Sequence, residues 1–293
     1  MADAMFDQPQ YRNADAAREH LESIRWPSGP VCPHCGATDR ISKLQGKSHR
    51  TGLYDCGHCR DQFTVTVGTV FERSKISLDK WLFAAALMAA SKKGVSSKQI
   101  ERMVGVTYKT AWFMTHRLRE AMKPEAGGMF GGGSGIVEAD ETFLGRKPGR
   151  QSRRGYAHKE AIFSLVERSG NVRSWHVPDV TADTLQAKLR EHAGQYRTAK
   201  SDFPKHKTVN HNKGEYVRGI VHTNTAEGFF SVFKRGMFGI YQHVSTHHLN
   251  RYTTEFDFRY NYRQKLGFDD AMRTDAMLKG ISGKRLTYRR IGA

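Results

Sequence analysis

The chain has four cysteines, and they stand as Cys32-Pro33-His34-Cys35 and Cys56-Gly57-His58-Cys59, two Cys-x-x-Cys pairs with 20 residues between them. Four thiolates so spaced can close tetrahedrally around one Zn²⁺, and Pro33, Gly36 and Gly57 suit the tight turns that would aim them. In a reducing compartment this pattern favours a metal over a disulfide. The alternatives are four unligated thiols or a redox pair. With four sulfurs available, His34 and His58 are expected to be bystanders. A saturated sphere leaves no position for water or substrate, so this zinc is expected to serve folding rather than catalysis.

A second constellation is acidic. Glu138-Ala139-Asp140-Glu141-Thr142 lies in a strand-like stretch, where a lone acid is costly to bury unless it holds a metal. Far downstream, Glu227 and Lys234 are two helical turns apart and share a face, with Asn224 one turn earlier. Carboxylates that hold Mg²⁺ can activate an attacking oxygen and stabilise a leaving one, while a lysine positions a phosphate, which is the chemistry of phosphodiester cleavage and transfer. Taken alone, Glu227 and Lys234 also fit a solvated helical pair. His206, His211 and His222 are isolated histidines and receive no role.

Positioning these residues requires several elements. Ala16, Ala17, Leu21 and Ile24 predict an amphipathic helix within 11–28, ended by Trp26-Pro27. Residues 31–70 are short-stranded and turn-rich, as a metal-stapled ribbon would be. From 78 to 122 three helices are predicted by Trp81, Leu82, Ala85 and Met88, then Ile100 and Val104, then Ala111, Met114 and Leu118. Within them, residues 95–112 have helix-turn-helix grammar, with a glycine turn at Gly105 and a second helix capped by Thr107. That second helix offers Tyr108, Lys109 and Thr110 where base edges and phosphates are met, with Lys98 and Arg102 nearby. A helical hairpin packed only on itself is the alternative. Residues 127–135 hold six glycines and one serine and read as a linker. Strands follow at 136–143, 161–166 and 172–177. Then come a helix from Thr181 or Asp183 to His192, another from Thr223 or Thr225 carrying Glu227, and a last one over 245–262.

Lysine and arginine total 47 against 29 acids, a formal charge of +18, which points to a polyanionic partner. Nucleic acid is the obvious candidate, with a merely basic ribosome-associated factor as the alternative. No stretch approaches the roughly 18 apolar residues of a membrane helix, and residues 1–10 carry neither a basic n-region nor an apolar core. The expectation is a cytoplasmic, nucleoid-associated protein with no membrane partner.

Residues 222–236, His-Thr-Asn-Thr-Ala-Glu-Gly-Phe-Phe-Ser-Val-Phe-Lys-Arg-Gly, closely resemble the zinc-ribbon-bearing DDE transposases of bacterial insertion sequences. Tyr-Gln-His-Val-Ser at 241–245, Glu-Phe-Asp-Phe-Arg-Tyr-Asn at 255–261, Ala-Asp-Glu-Thr at 139–142, Thr-Val-Asn-His at 208–211 and Glu-Tyr-Val at 215–217 match as well. The resemblance implies an α/β ribonuclease-H-like catalytic domain that cleaves double-stranded DNA at transposon ends and transfers the strand to a target, with Mg²⁺ or Mn²⁺. It makes Asp140 and Glu227 the first and third metal ligands and Lys234 a phosphate-contacting lysine, with Arg235 beside it on DNA. It also implies a homo-oligomer that holds two DNA ends. The expected layout is an N-terminal helix and zinc ribbon (1–73), a helix-turn-helix module (74–126), the glycine linker (127–135), the ribonuclease-H-like domain (136–275) and a basic C-terminal tail (276–293).

One part of the family pattern is absent. Such transposases carry a second catalytic aspartate at the end of a strand, within a Thr-Asp-Glu-like motif. Here the helix ending near His192 runs directly into Gln195-Tyr196-Arg197, and residues 190–207 contain no apolar run able to form a buried strand. One core strand is therefore expected to be deleted, which would leave unpaired backbone groups beside the first strand. Asp202 is the sole aspartate between Asp183 and Glu227 and is the default second ligand, in a loop-like setting. Two readings stay open: an active transposase, and a catalytically impaired relic that binds DNA without cutting it. A zinc-ribbon transcription or RNA-associated factor would explain the charge and the cysteines, but not the block from Glu227 to Lys234.

Overall fold

Asn13 starts the first helix, its side-chain oxygen accepting from the backbone N–H groups of Asp15 and Ala16, and α1 (Ala14–Arg25) runs until Trp26. This is an N-cap, which satisfies donors that the first helical turn leaves without partners. The computed structural model describes residues 5–124, 136–152, 154–168, 170–192, 215 and 217–287. The glycine linker at 127–135 and Asp202, with all of 193–214 where the missing strand would fall, lie outside the described residues. The chain divides into two units, Met1–Ser91 with Val95–Lys123 and Phe268–Ala293, and Lys92–Gly94 with Pro124–Gly267.

In the first unit, β1 (Ile41–Lys43), β2 (Tyr54–Cys56) and β3 (Gln62–Phe63) form an antiparallel sheet in that order. Its strands are too short to build a core by themselves. Three rings supply one: Trp26 meets Tyr54 edge-on at 5.3 Å and Phe63 at 5.8 Å, and Tyr54 stacks on Phe63 at 5.6 Å. Next, α2 (Leu78–Ala90) is buried almost all round by Trp81, Leu82, Leu87, Met88 and five alanines, four of them buried. Ser96 caps α3 (Ser97–Val104) through the Gln99 N–H, Gly105 closes it at φ 69°, and Thr107 caps α4 (Tyr108–Ala121) through the Thr110 N–H. Gly105 is needed because that left-handed conformation costs other residues a clash at Cβ.

The second unit is built on β4 (Val137–Leu144), β5 (Glu160–Glu167) and β6 (Val172–Val177), antiparallel and in that order. Register sets Asp140 opposite Ser164 and Ser164 opposite Ser174. The central strand β5 is buried at seven of its eight positions, as expected of a strand covered on both faces. Leu185 and Leu189 of α5 (Ala182–His192) pack over Ala161, Phe163, Leu165 and Val177 on one face. On the other, Ala226, Phe229, Phe230 and Phe233 of α6 (Asn224–Gly236) join Leu249, Tyr252 and Phe256 of α7 (Leu249–Asn261) over Leu144, Ile162, Val166 and Val172. Each fully buried phenylalanine contributes about 1.5–3 kcal/mol by leaving water.

Helix α7 also covers the outer edge of β6. Asn261, Asp257 and Asn250 accept from the backbone N–H groups of Val172, Ser174 and His176 at 2.7, 2.7 and 2.9 Å. A helical row thus satisfies every second N–H of a strand that would otherwise be a template for aggregation. At the opposite side of the sheet, β4 pairs with β5 alone among the described residues.

The last helix, α8 (Asp270–Lys279), belongs to the first unit rather than to the second. It buries Met277 and Leu278, and Arg273 donates to the Ala89 carbonyl at 2.9 Å. A Cβ on Gly280 would lie 2.3 Å from the Ala121 carbonyl oxygen, so the chains approach there as closely as only glycine permits. The Val70 N–H then bonds the Ile281 carbonyl at 3.1 Å, and Thr69 bridges Ser282. Sequence reading split this segment between two regions because its burial comes from partners almost 200 residues upstream, which no local periodicity reports.

Candidate functional site

All four cysteine sulfurs lie within 4.8 Å of one another, with Cys32 to Cys59 at 3.6 Å and Cys35 to Cys56 at 3.7 Å. A tetrahedron with Zn–S bonds of ~2.3 Å separates its sulfurs by ~3.8 Å, so the cluster fits zinc without rearrangement. Two matching turns aim the sulfurs: Gly36 N–H bonds the Cys32 carbonyl at 2.9 Å and Arg60 N–H the Cys56 carbonyl at 2.8 Å. The backbone N–H of Cys59, and then that of His58, point at the Cys56 sulfur and hold its thiol down to about 7, which favours the thiolate that a metal needs. His58 turns to Asp39 at 2.9 Å and His34 is exposed, so both are bystanders as expected. The zinc is structural.

In the second unit the organising residue is one that sequence reading passed over. Glu138 is buried on β4, and its carboxylate accepts from the Thr225 and Ala226 N–H groups and the Thr225 hydroxyl, each at 2.9 Å. Arg168 donates to it at 2.7 Å and also holds the His222 carbonyl at 3.2 Å. Glu138 therefore caps α6 from another element, placing a negative charge on the positive end of the helix dipole and satisfying donors of its first turn. The consequence is positional. Asp140 is two residues along β4 and so on the same face as Glu138, and Glu227 follows directly after the bonded Ala226.

Asp140 is half-buried, with one carboxylate oxygen accepting from the Glu141 N–H at 2.8 Å. Glu227 is exposed in the first turn of α6, where the Thr223 hydroxyl reaches it at 3.4 Å. Lys234 is half-buried two turns on, and Arg235 bonds the Ser231 carbonyl and hydroxyl of its own helix. Strand and helix are tied at one junction with Asp140 beside it on one element and Glu227 on the other. Among the described residues the four cysteines are the sole group of three or more metal-ligating side chains, so no third ligand there completes a set with Asp140 and Glu227.

A polar rung crosses the same face of the sheet. Ser164 donates to Ser174 at 2.8 Å, and Ser174 donates its hydroxyl and its N–H to Asp257, both at 2.7 Å. Burial pushes the Asp257 carboxyl up to about 7, against the opposing pull of the Ser174 bonds and of Arg173. Glu138 and Asp257 share a recoverable signal, an acid inside a stretch that must be buried to form the core, which requires dedicated donors.

In the first unit, Tyr108 at the start of α4 is 46% exposed, and Lys98 lies 4.9 Å over its ring while also pairing with Glu101 at 2.9 Å. Arg102 and Lys109 are exposed beside it. A basic, aromatic surface of this composition can meet a phosphate backbone.

Residues 133–261 match the ISXO2-like transposase domain, and residues 12–62 match the transposase zinc-ribbon domain. Over 283 residues, 87% of this chain and 92% of the relative, the sequence is 29% identical to an uncharacterized protein in transposable element ISH50 of Halobacterium salinarum. No solved structure matches the chain. Among the described residues, no helix is long and apolar enough to cross a membrane. The chain thus carries a transposase zinc-ribbon domain followed by an ISXO2-like transposase domain, and it is similar along most of its length to a protein of a transposable element.

Proposed function

We propose that this transposase binds the ends of its element as double-stranded DNA and cleaves and joins phosphodiester bonds at a site built on Asp140 and Glu227. The observation that carries this reading is the Glu138 junction, which fixes β4 and the start of α6 to each other through three hydrogen bonds, with a further one to Glu138 from Arg168. Two acids carried on either side of that junction suit Mg²⁺, with Mn²⁺ as a substitute, and Lys234 suits a phosphate oxygen. A divalent ion held there would supply charge neutralisation at the reacting oxygens. The chain's own residues hold β4 against α6 and draw the strand in by lysine and arginine. An antiparallel three-stranded sheet followed by a helix supports a ribonuclease-H-like reading of the domain. Helices α3 and α4, with Lys98, Arg102, Tyr108 and Lys109, support a helix-turn-helix that reads the DNA. Two DNA ends imply a homo-oligomer.

The decisive experiment is Mg²⁺-dependent cleavage of DNA carrying the element's terminal repeats. Cleavage by the wild type and its loss in Asp140→Ala and in Glu227→Ala, with DNA affinity kept within a few-fold, is the expected result. Equal activity in all three proteins rejects the assignment. The absence of a third ligand among the described residues favours a second reading, a transposase-derived DNA binder that does not cut. Asp202 divides the two: if it is the missing ligand, Asp202→Ala abolishes cleavage as completely as Asp140→Ala.

A further inference from the structure

Where β4 ends and α6 runs into a π-helical turn at Met237–Tyr241, the second unit holds a cavity of about 360 Å³ that no step above uses. Its wall carries Arg146, Glu160, Phe238, Gln242, His243 and His247. Phe238 is 56% exposed, a large aromatic face left uncovered at a rim of charged and imidazole donors. Glu160 accepts from His176 at 2.8 Å and from the Thr246 hydroxyl at 2.6 Å, and a carboxylate keeps further acceptor positions beyond two such bonds. A simple anion would meet this negative charge. A nucleobase brings amino donors for Glu160 and a π-face for Phe238, and its own phosphate suits Arg146.

The backbone here is strained and held. Gln242 sits at φ 58° and ψ −58°, and the His243 N–H bonds the Tyr241 carbonyl across it at 2.6 Å, the rare γ-turn of positive φ. Such a conformation persists only where its surroundings impose it. They do so through Tyr241, whose hydroxyl donates to Glu255 at 2.6 Å and whose ring packs on Tyr252 at 4.7 Å, with Glu255 itself paired to Arg259. A side chain at a position where glycine would be free of strain argues that the side chain is used.

Distance places the cavity close to the proposed cleavage site. Leu144, in its wall, is four residues beyond Asp140 on the same strand face, or ~13 Å at strand rise. Met237, also in the wall, is ten residues beyond Glu227, or ~15 Å at helical rise. At ~3.4 Å of axial rise per nucleotide, that is about four nucleotides from the carboxylates. A concave pocket cannot take a base that remains within a duplex stack, so its occupant must be turned out or unpaired.

We propose that this cavity receives one unpaired nucleotide close to the cleaved bond, its base stacked on Phe238 and its phosphate on Arg146. The proposal rests on the assignment of Asp140 and Glu227 to the cleavage site, but its test does not require cleavage. Terminal-repeat DNA with a single abasic nucleotide, moved through the positions on each side of the expected cut, is bound to the full-length Asp140→Ala protein and followed by fluorescence anisotropy. One position is expected to weaken binding roughly fivefold or more when its base is missing, the scale of one stacked base. Phe238→Ala should abolish that base preference, whereas Phe238→Tyr should retain it. No position with a base preference, or one that Phe238→Ala leaves intact, overturns the proposal. A preference that survives in a protein unable to cut even as wild type overturns the catalytic assignment instead.

Discussion

The zinc cluster and the proposed carboxylate site both rely on acidic side chains, but they reverse the order of cause. The four sulfurs come from residues 32–59, and the three strands between and beside them total eight residues, so little holds that ribbon together except the three rings and the metal itself. There the ion makes the fold. Asp140 and Glu227 are 87 positions apart, and they are placed by the capped α6, the phenylalanine core and the sheet register. There the fold would make the proposed ion site. A metal with a folding role can be recognised from local spacing, whereas one with a catalytic role depends on tertiary structure that spacing does not record.

The comparison breaks most visibly if zinc is removed. Structural zinc contributes on the order of 10 kcal/mol to modules of this kind. Chelation, or Cys56→Ser, is expected to leave β2 and β3 without hydrogen-exchange protection, while the amides of β5 keep theirs. Removing Mg²⁺ should leave both units unchanged in the same experiment. Loss of protection in β5 on chelation would mean that the zinc supports far more than its ribbon.

Glu138 is the corresponding weak point of the second unit. Glu138→Ala leaves Arg168 without its carboxylate and the first turn of α6 without a cap, a loss of about 3–5 kcal/mol by analogy with broken buried pairs. Glu138→Gln keeps the shape and one acceptor and should cost about 1–3 kcal/mol. If the junction positions the reacting groups, Glu138→Gln also lowers the cleavage rate without changing DNA affinity. A variant that unfolds more easily but cleaves normally would reduce Glu138 to a structural cap.

Much of this was legible in the residues. Both Cys-x-x-Cys pairs, the helices with strong apolar periodicity and the three strands are local patterns, and β6 begins and ends where its alternation does. Thr107 and Gly105 marked the turn before α4 because capping and left-handed turns restrict residue type strongly. What escaped were pairings made at long range. Glu138 looked like one more acid beside Asp140, since its partners Thr225 and Ala226 are 87 and 88 residues away. Helix α8 escaped for the same reason. Asp257 was hidden inside an aromatic run that reads equally well as a plain helix, and its function in covering the β6 edge depends on a strand 83 residues earlier.

Asp257 offers the finest test of the difference between the two regions, because it asks how much the metal-independent fold depends on one buried proton. Its carboxyl is pushed up to about 7 by burial, whereas in the unfolded chain it returns to the ordinary value near 3.9. Between those values the folded state keeps a proton that the unfolded state has lost, so stability falls as pH rises through this window, by at most about 1.4 kcal/mol per pH unit, and levels off above 7. Asp257→Asn cannot ionise, yet its amide oxygen can still accept from Ser174. Denaturation midpoints of the second unit, measured for both proteins at pH 5, 6, 7 and 8, should therefore converge toward acid and separate in favour of the asparagine variant as pH rises. Parallel curves would show that Asp257 stays ionised throughout. In that case the Ser174 bonds and Arg173 outweigh desolvation, and the α7–β6 edge would be held by a charge in the same way as the Glu138 junction.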